Sequence, residues 1–269
     1  MTEVADDEST GWSGGPEWPG VPAWCEHGPG AHDGTVPAAA TAPVASRAWL
    51  LIEDPGPWAH SAIETALPGP LAELAADADR AGIRVQLIRR PLRSGGIDQG
   101  ISAGSEARAA DSEARAVYAA WTAGPRPWLT RMAGATATGG GIDLAGVARG
   151  AAPARAEEAG PLYLVCAHAR RDRCCGRFGG PLARGLAARY PAQVWETTHL
   201  GGHKHAPNLA LLPEGHYYGP ADLPSALAAI EAYERGEVSP HRYRGRAGHD
   251  QAWQQAEQAR AMADGTGPA

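Results

Sequence analysis

The sequence predicts an α/β protein in which helices flank a mixed sheet, and three observations carry that expectation. Short aliphatic runs of strand length, such as Trp49-Leu50-Leu51-Ile52 and Leu162-Tyr163-Leu164-Val165, recur along the chain. Segments with helical spacing follow them, and the order strand, helix, strand, hairpin occurs twice. A strand–helix–strand unit implies a right-handed parallel crossover, whereas hairpins add antiparallel strands, so the sheet should be mixed.

Each element has a local reason. Residues 1–34 hold seven acids, eleven Gly or Pro and no Lys or Arg, the composition of a disordered tail. Residues 47–53 read as a buried strand, ended by the turn chemistry of Glu53-Asp54-Pro55-Gly56-Pro57. Between about 61 and 81, Ile63, Leu67, Leu71 and Leu74 recur at helical spacing, and Pro68 and Pro70 split the run in two. Gly82 closes that helix and residues 83–89 form a second strand. Residues 91–114, rich in Gly, Ser and Ala, read as loop or weak helix, and 116–122 with 128–132 as a hairpin around Gly124-Pro125. Residues 134–160 are low in complexity and read as a linker with one short helix near 142–149.

The second half repeats the order. Residues 162–166 are a strand, 181–190 a helix, 193–197 a strand, and 208–212 with 216–219 a hairpin around Pro213-Glu214-Gly215. A helix over 224–235 follows, with Ala226, Leu227 and Ile230 on one face. This order fits a thioredoxin-like mixed sheet with flanking helices, arranged as two tandem halves over 42–133 and 161–246, with a helix and tail at 247–269.

Composition narrows the function. The chain of 269 residues is 43% hydrophobic and carries a net charge of −6, but the acidic tail accounts for that charge and leaves the body near +1. A nearly neutral body gives no basis for general nucleic-acid binding. No aliphatic run approaches the ~20 residues that cross a bilayer, so no membrane partner is expected. The N-terminus lacks the basic and apolar regions of an export signal, which predicts a cytoplasmic protein. No Gly-x-Gly-x-x-Gly or Walker pattern speaks for a nucleotide, and no Cys-x-x-Cys for thioredoxin-type exchange.

Reactive side chains gather in residues 166–205. One segment reads Cys166-Ala167-His168-Ala169-Arg170-Arg171-Asp172-Arg173-Cys174-Cys175-Gly176, the other His199-Leu200-Gly201-Gly202-His203-Lys204-His205. Cys166 ends one strand and His199 follows the next. Loops after adjacent parallel strands open at one edge, so two thiolates and two imidazoles can surround a common point. Such a set suits an iron–sulfur cluster or tetrahedral zinc. Gly201 and Gly202 would let the backbone turn tightly. His168 can hydrogen-bond near a ligand, and Lys204 and His205 border the site. Cys25 reads as an ordinary thiol in the tail and His216 as a structural residue. Six Arg against the lone Asp172 in residues 166–189 form a basic island that could steer an acidic redox partner.

Cys166-x8-Cys175-Gly176, with His168 and Arg171-Asp172, and His199-x-Gly-Gly-His203 followed by Ala206-Pro207-Asn208 resemble the sucrase/ferredoxin-like family of thioredoxin-like ferredoxins. Weaker support comes from Trp49-Leu50-Leu51-Ile52-Glu53 and Pro55-Gly56-Pro57-Trp58. The resemblance spans about residues 42–246. It implies a 2Fe–2S cluster held by Cys166, Cys175, His199 and His203, with His168, Arg171, Asp172, Cys174, Gly201, Gly202 and His205 around it. It selects Cys175 over the vicinal Cys174, and it implies an electron carrier rather than a self-contained enzyme. No carboxylate pair on a glycosidase framework supports sugar hydrolysis. The alternatives are a structural zinc protein with the same four ligands and a thiol redox enzyme using Cys174-Cys175.

Overall fold

A computed structural model describes residues 40–91, 115–133 and 137–264. The acidic tail, with Cys25, and nearly all of the 91–114 stretch lie outside the described residues. Ten strands among the described residues form one mixed sheet: β1 (Ala48–Glu53), β2 (Arg84–Arg89), β3 (Ala116–Trp121), β4 (Trp128–Ala133), β5 (Glu157–Glu158), β6 (Leu162–Cys166), β7 (Val194–Thr197), β8 (Leu209–Leu212), β9 (His216–Tyr218) and β10 (Tyr243–Arg246). Five helices accompany them: α1 (Gly69–Arg80), α2 (Leu144–Val147), α3 (Arg173–Ala187), α4 (Leu223–Glu234) and α5 (Gln251–Asp264). The spatial order is β10-β9-β8-β6-β7-β2-β1-β3-β4-β5. The expected mixed α/β architecture is therefore present.

Pairing follows the same sequence on either side of the centre. β1 runs parallel to β2 and antiparallel to β3, which pairs antiparallel with β4. β6 runs parallel to β7 and antiparallel to β8, which pairs antiparallel with β9. The two sets join through β2 and β7, antiparallel with Ile88 opposite Thr197 and Arg89 opposite Glu196.

Both faces of the sheet are apolar, as a sheet covered on both sides requires. On β1, Ala48, Leu50 and Ile52 pack with Leu71, Leu74 and Ala78 of α1. On β6, Tyr163 and Val165 pack with Leu182 and Leu186 of α3 and with Ala226 and Ile230 of α4. The alternate residues Trp49 and Leu51 of β1 join Leu162, Leu164 and Cys166 of β6 in a third cluster, so one apolar layer spans both strand sets. Cys166 thus points into the layer common to the two sets.

Three elements depart from the sequence reading. The expected two-piece helix over 61–81 reduces to α1: residues 61–65 are bends and turns, 66–68 are irregular, and the prolines start the helix instead of splitting it. Pro68 is its N-cap and Pro70 sits in the first turn, where a missing N–H costs nothing. α3 begins eight residues before the expected start at 181, so Cys174 and Cys175 lie in its first turn and not in the preceding loop. Finally, β5 and β10 have no counterpart in the predicted strands; β5 pairs with β4 and β10 with β9.

Candidate metal centre

The site forms where the chain leaves β6 and β7. Cys166 and Thr197 are register partners at the ends of these parallel strands, so the loops that follow, 167–172 and 198–202, open side by side. Asp172 then starts α3: its side chain accepts the Cys175 backbone N–H at 2.8 Å, which fixes the first helical turn and the position of Cys175. Gly179, one turn further, faces the Cys166 carbonyl so closely that a Cβ there would overlap its oxygen and lie 2.8 Å from its carbon. The helix can approach the strand end only because that position is bare.

These contacts bring three donors together. Cys166 Sγ, Cys175 Sγ and a ring nitrogen of His199 lie within 4.8 Å of one another, and His199 Nδ1 is 3.9 Å from each sulfur. Both sulfurs are buried and His199 is half-buried. Three of the four residues expected as ligands therefore share one point. For the fourth, His203, the backbone lies in a 3-10 turn at His203–His205, and its side chain is outside the described residues. The donor group takes in Cys175 and leaves out Cys174, which is buried in the apolar layer.

The two thiols titrate as a pair. Cys166 is held well below the ordinary thiol value, first by a hydrogen bond from Cys175, then by His199 and by the Leu200 backbone N–H, against the opposing effect of burial. Cys175 is pushed up by facing that thiolate and by its own burial. The pair thus shares its charge unequally, and a bound metal would supply the positive charge that favours ionisation of both.

The surroundings hold His199 from several sides. His168, buried after Cys166, donates from Nε2 to the Ala59 carbonyl at 2.6 Å and accepts the His199 backbone N–H on Nδ1 at 3.2 Å. That pair of bonds fixes its tautomer, and burial keeps its pKa below the ordinary histidine value. Trp58 closes over it edge to face, with ring centroids 5.8 Å apart. The His199 carbonyl accepts from Gln86 Nε2 at 3.2 Å and Arg84 Nη2 at 2.9 Å, both on β2. Gln86 Oε1 accepts from the Thr198 hydroxyl at 2.6 Å. The sequence offered no sign of this role for Arg84 and Gln86, because the contact crosses more than a hundred residues.

The remaining predicted neighbours fall as follows. Gly201 and Gly202 adopt φ of +91° and +67°, the left-handed turn expected of the pair. Arg171 is exposed and contacts His60, while Asp172 serves as the helix cap. His205 is buried behind the turn. His216 packs edge to face against Tyr233 and Tyr243, a core role as expected. Glu53 and Asp54 are structural: Glu53 accepts the Ala116 N–H at 3.0 Å, and the buried Asp54 pairs with Arg115 at 2.8 Å.

A family model described as sucrase/ferredoxin-like matches residues 41–245, the stretch that contains both loops and their scaffold. The chain belongs to the sucrase/ferredoxin-like family. No curated protein and no solved structure gives a significant match. Within this sucrase/ferredoxin-like chain the Cys166–Cys175–His199 group could hold a metal. No helix among the described residues is long and apolar enough to cross a membrane.

Proposed function

We propose that the protein is a 2Fe–2S electron carrier whose cluster is held by Cys166, Cys175, His199 and His203. The observation that carries this reading is the convergence of two buried thiols and the His199 ring within 4.8 Å at the open ends of β6 and β7, in a member of the sucrase/ferredoxin-like family. Soft sulfur with imidazole suits such a cluster, which would supply one-electron chemistry when bound. The chain's own residues do the rest. Asp172 and Gly179 position Cys175 against Cys166, His168 orients His199, and Gln86 and Arg84 hold its carbonyl. The Leu200 N–H stabilises negative charge on the Cys166 sulfur.

The scaffold is best read as two tandem thioredoxin-like halves, β1–β4 and β6–β9, because both share one pairing order. Arg170, Arg171, Arg173, Arg177 and Arg184 are exposed beside the site and would receive an acidic redox protein; its reaction rate should fall as salt rises. A reducing, cytoplasmic setting would keep Cys166 and Cys175 available as thiolate ligands.

One observation favours a structural zinc ion instead. Both sulfur-to-nitrogen separations of 3.9 Å are near the edge of a single tetrahedral zinc site, about 3.6 Å for ordinary zinc bond lengths. Metal and sulfide analysis of anaerobically purified protein separates the readings. Equal amounts of iron and acid-labile sulfide with visible charge-transfer bands are expected, and Cys175→Ala should lose all three. Colourless wild-type protein with one zinc would refute the carrier reading.

A further inference from the structure

Below the 198–202 loop lies a buried cation with no anionic partner among the described residues. Arg244 of β10 is 1% exposed. Its guanidinium donates from Nε to the Thr41 hydroxyl at 3.0 Å, from Nη2 to the Thr41 carbonyl at 3.1 Å, and from Nη1 to Asn208 Oδ1. All three acceptors are neutral. It also lies 5.8 Å from the centroid of the Tyr217 ring. Burial lowers its pKa to about 10, so the group stays charged at neutral pH.

This cation packs against the loop that carries His199. Its guanidinium sits against Gly202, where a Cβ would collide with it, and Asn208 links the two by donating from Nδ2 to the Gly202 carbonyl at 3.1 Å. Gly202 lies between His199 and His203 on the chain, so the guanidinium borders the turn that joins these two residues. A buried charge is costly unless another compensates it, and a cluster that takes up an electron beside this turn would supply that charge.

We propose that Arg244 is the fixed counter-charge of the cluster, positioning the 198–202 loop and raising the reduction potential. The proposal rests on the iron–sulfur reading given above. An oxidised 2Fe–2S core with two thiolates and two neutral imidazoles has no net charge, and one electron taken from an external reductant makes it −1, with no bond made or broken. A cation below the loop stabilises the reduced form more than the oxidised form, so its field favours uptake of the electron.

The test is a redox titration of the full-length protein followed by visible absorbance. Arg244→Met should keep the cluster and shift the midpoint to a more negative potential, while Arg244→Lys, which keeps the charge, should stay closer to wild type. Asn208→Asp sets a carboxylate of the same size against the guanidinium and should also move the midpoint down, while Asn208→Leu, which loses the same donation to the Gly202 carbonyl without adding charge, should move it less. If Arg244→Met does not fold, Asn208→Asp decides the matter. Loaded variants with wild-type midpoints overturn the role of Arg244 and leave the carrier reading intact. Wild-type protein without iron and sulfide overturns both.

Discussion

The two strand sets share a pairing order and differ in what stands at the end of the first strand. In the first, the chain leaves β1 through a long loop with three prolines, residues 54–68, before α1 begins without a side-chain cap. The position after β1 belongs to Asp54, fully buried and neutralised by Arg115. In the second, only residues 167–172 separate β6 from α3, Asp172 caps the helix, and Gly179 lets it press on the strand end. The short connection brings Cys175 to Cys166. One scaffold therefore buries an ion pair in one place and a pair of thiols in the other, and loop length with helix approach decides which. The first set is still no bystander, because Gln86 and Arg84 on β2 hold the His199 carbonyl.

This contrast can be broken most strongly at Asp54. Asp54→Ala leaves Arg115 charged and buried and should cost about 3–5 kcal/mol in chemical denaturation. The protein that remains folded should keep an unchanged metal spectrum, since Asp54 supplies no donor. A smaller effect with a different signature is expected from Gly179→Ala. The added methyl must push α3 away from the Cys166 carbonyl, at about 1–3 kcal/mol, and a bound metal should leave faster to a chelator. Removing the cap with Asp172→Ala should cost about 1 kcal/mol and loosen Cys175, read by the same chelator assay.

The smallest effect concerns pH. Burial, with Arg246 and His249 nearby, holds His216 well below its ordinary pKa of 6.5. The folded protein keeps this ring neutral, whereas the unfolded chain takes up a proton below about 6.5. Stability from this group is therefore complete above that pH and declines as pH falls below it. In His216→Phe, the loss of denaturation midpoint between pH 7 and pH 5.5 should be smaller than in wild type. An equal loss in both proteins would show that His216 is not its source.

Much of the fold could be read in the chain because the strands are short aliphatic or aromatic runs bounded by turn residues: β1, β2, the β3–β4 and β8–β9 hairpins, β6 and β7 lie within a residue or so of expectation. The early start of α3 could not, since Gly176, Gly179, Gly180 and Pro181 are poor helix formers, and only the tertiary contact with Cys166 gives Gly179 its reason. Asp172, three residues before Cys175, was the available signal for the cap. At the site, the convergence of the two loops was legible from the strand order, and the choice of Cys166, Cys175 and His199 came from the family resemblance. The supports Gln86, Arg84 and Arg244 were not, because they reach the loops through sheet neighbours distant in sequence and no local pattern marks them.

The most direct test of the account is electron paramagnetic resonance of the dithionite-reduced, full-length protein, with nitrogen hyperfine coupling measured after labelling histidine with nitrogen-15. The account predicts a spin-one-half signal coupled to imidazole nitrogen, with that coupling diminished in His199→Cys. A silent spectrum, or a signal without coupling to histidine nitrogen, would contradict it.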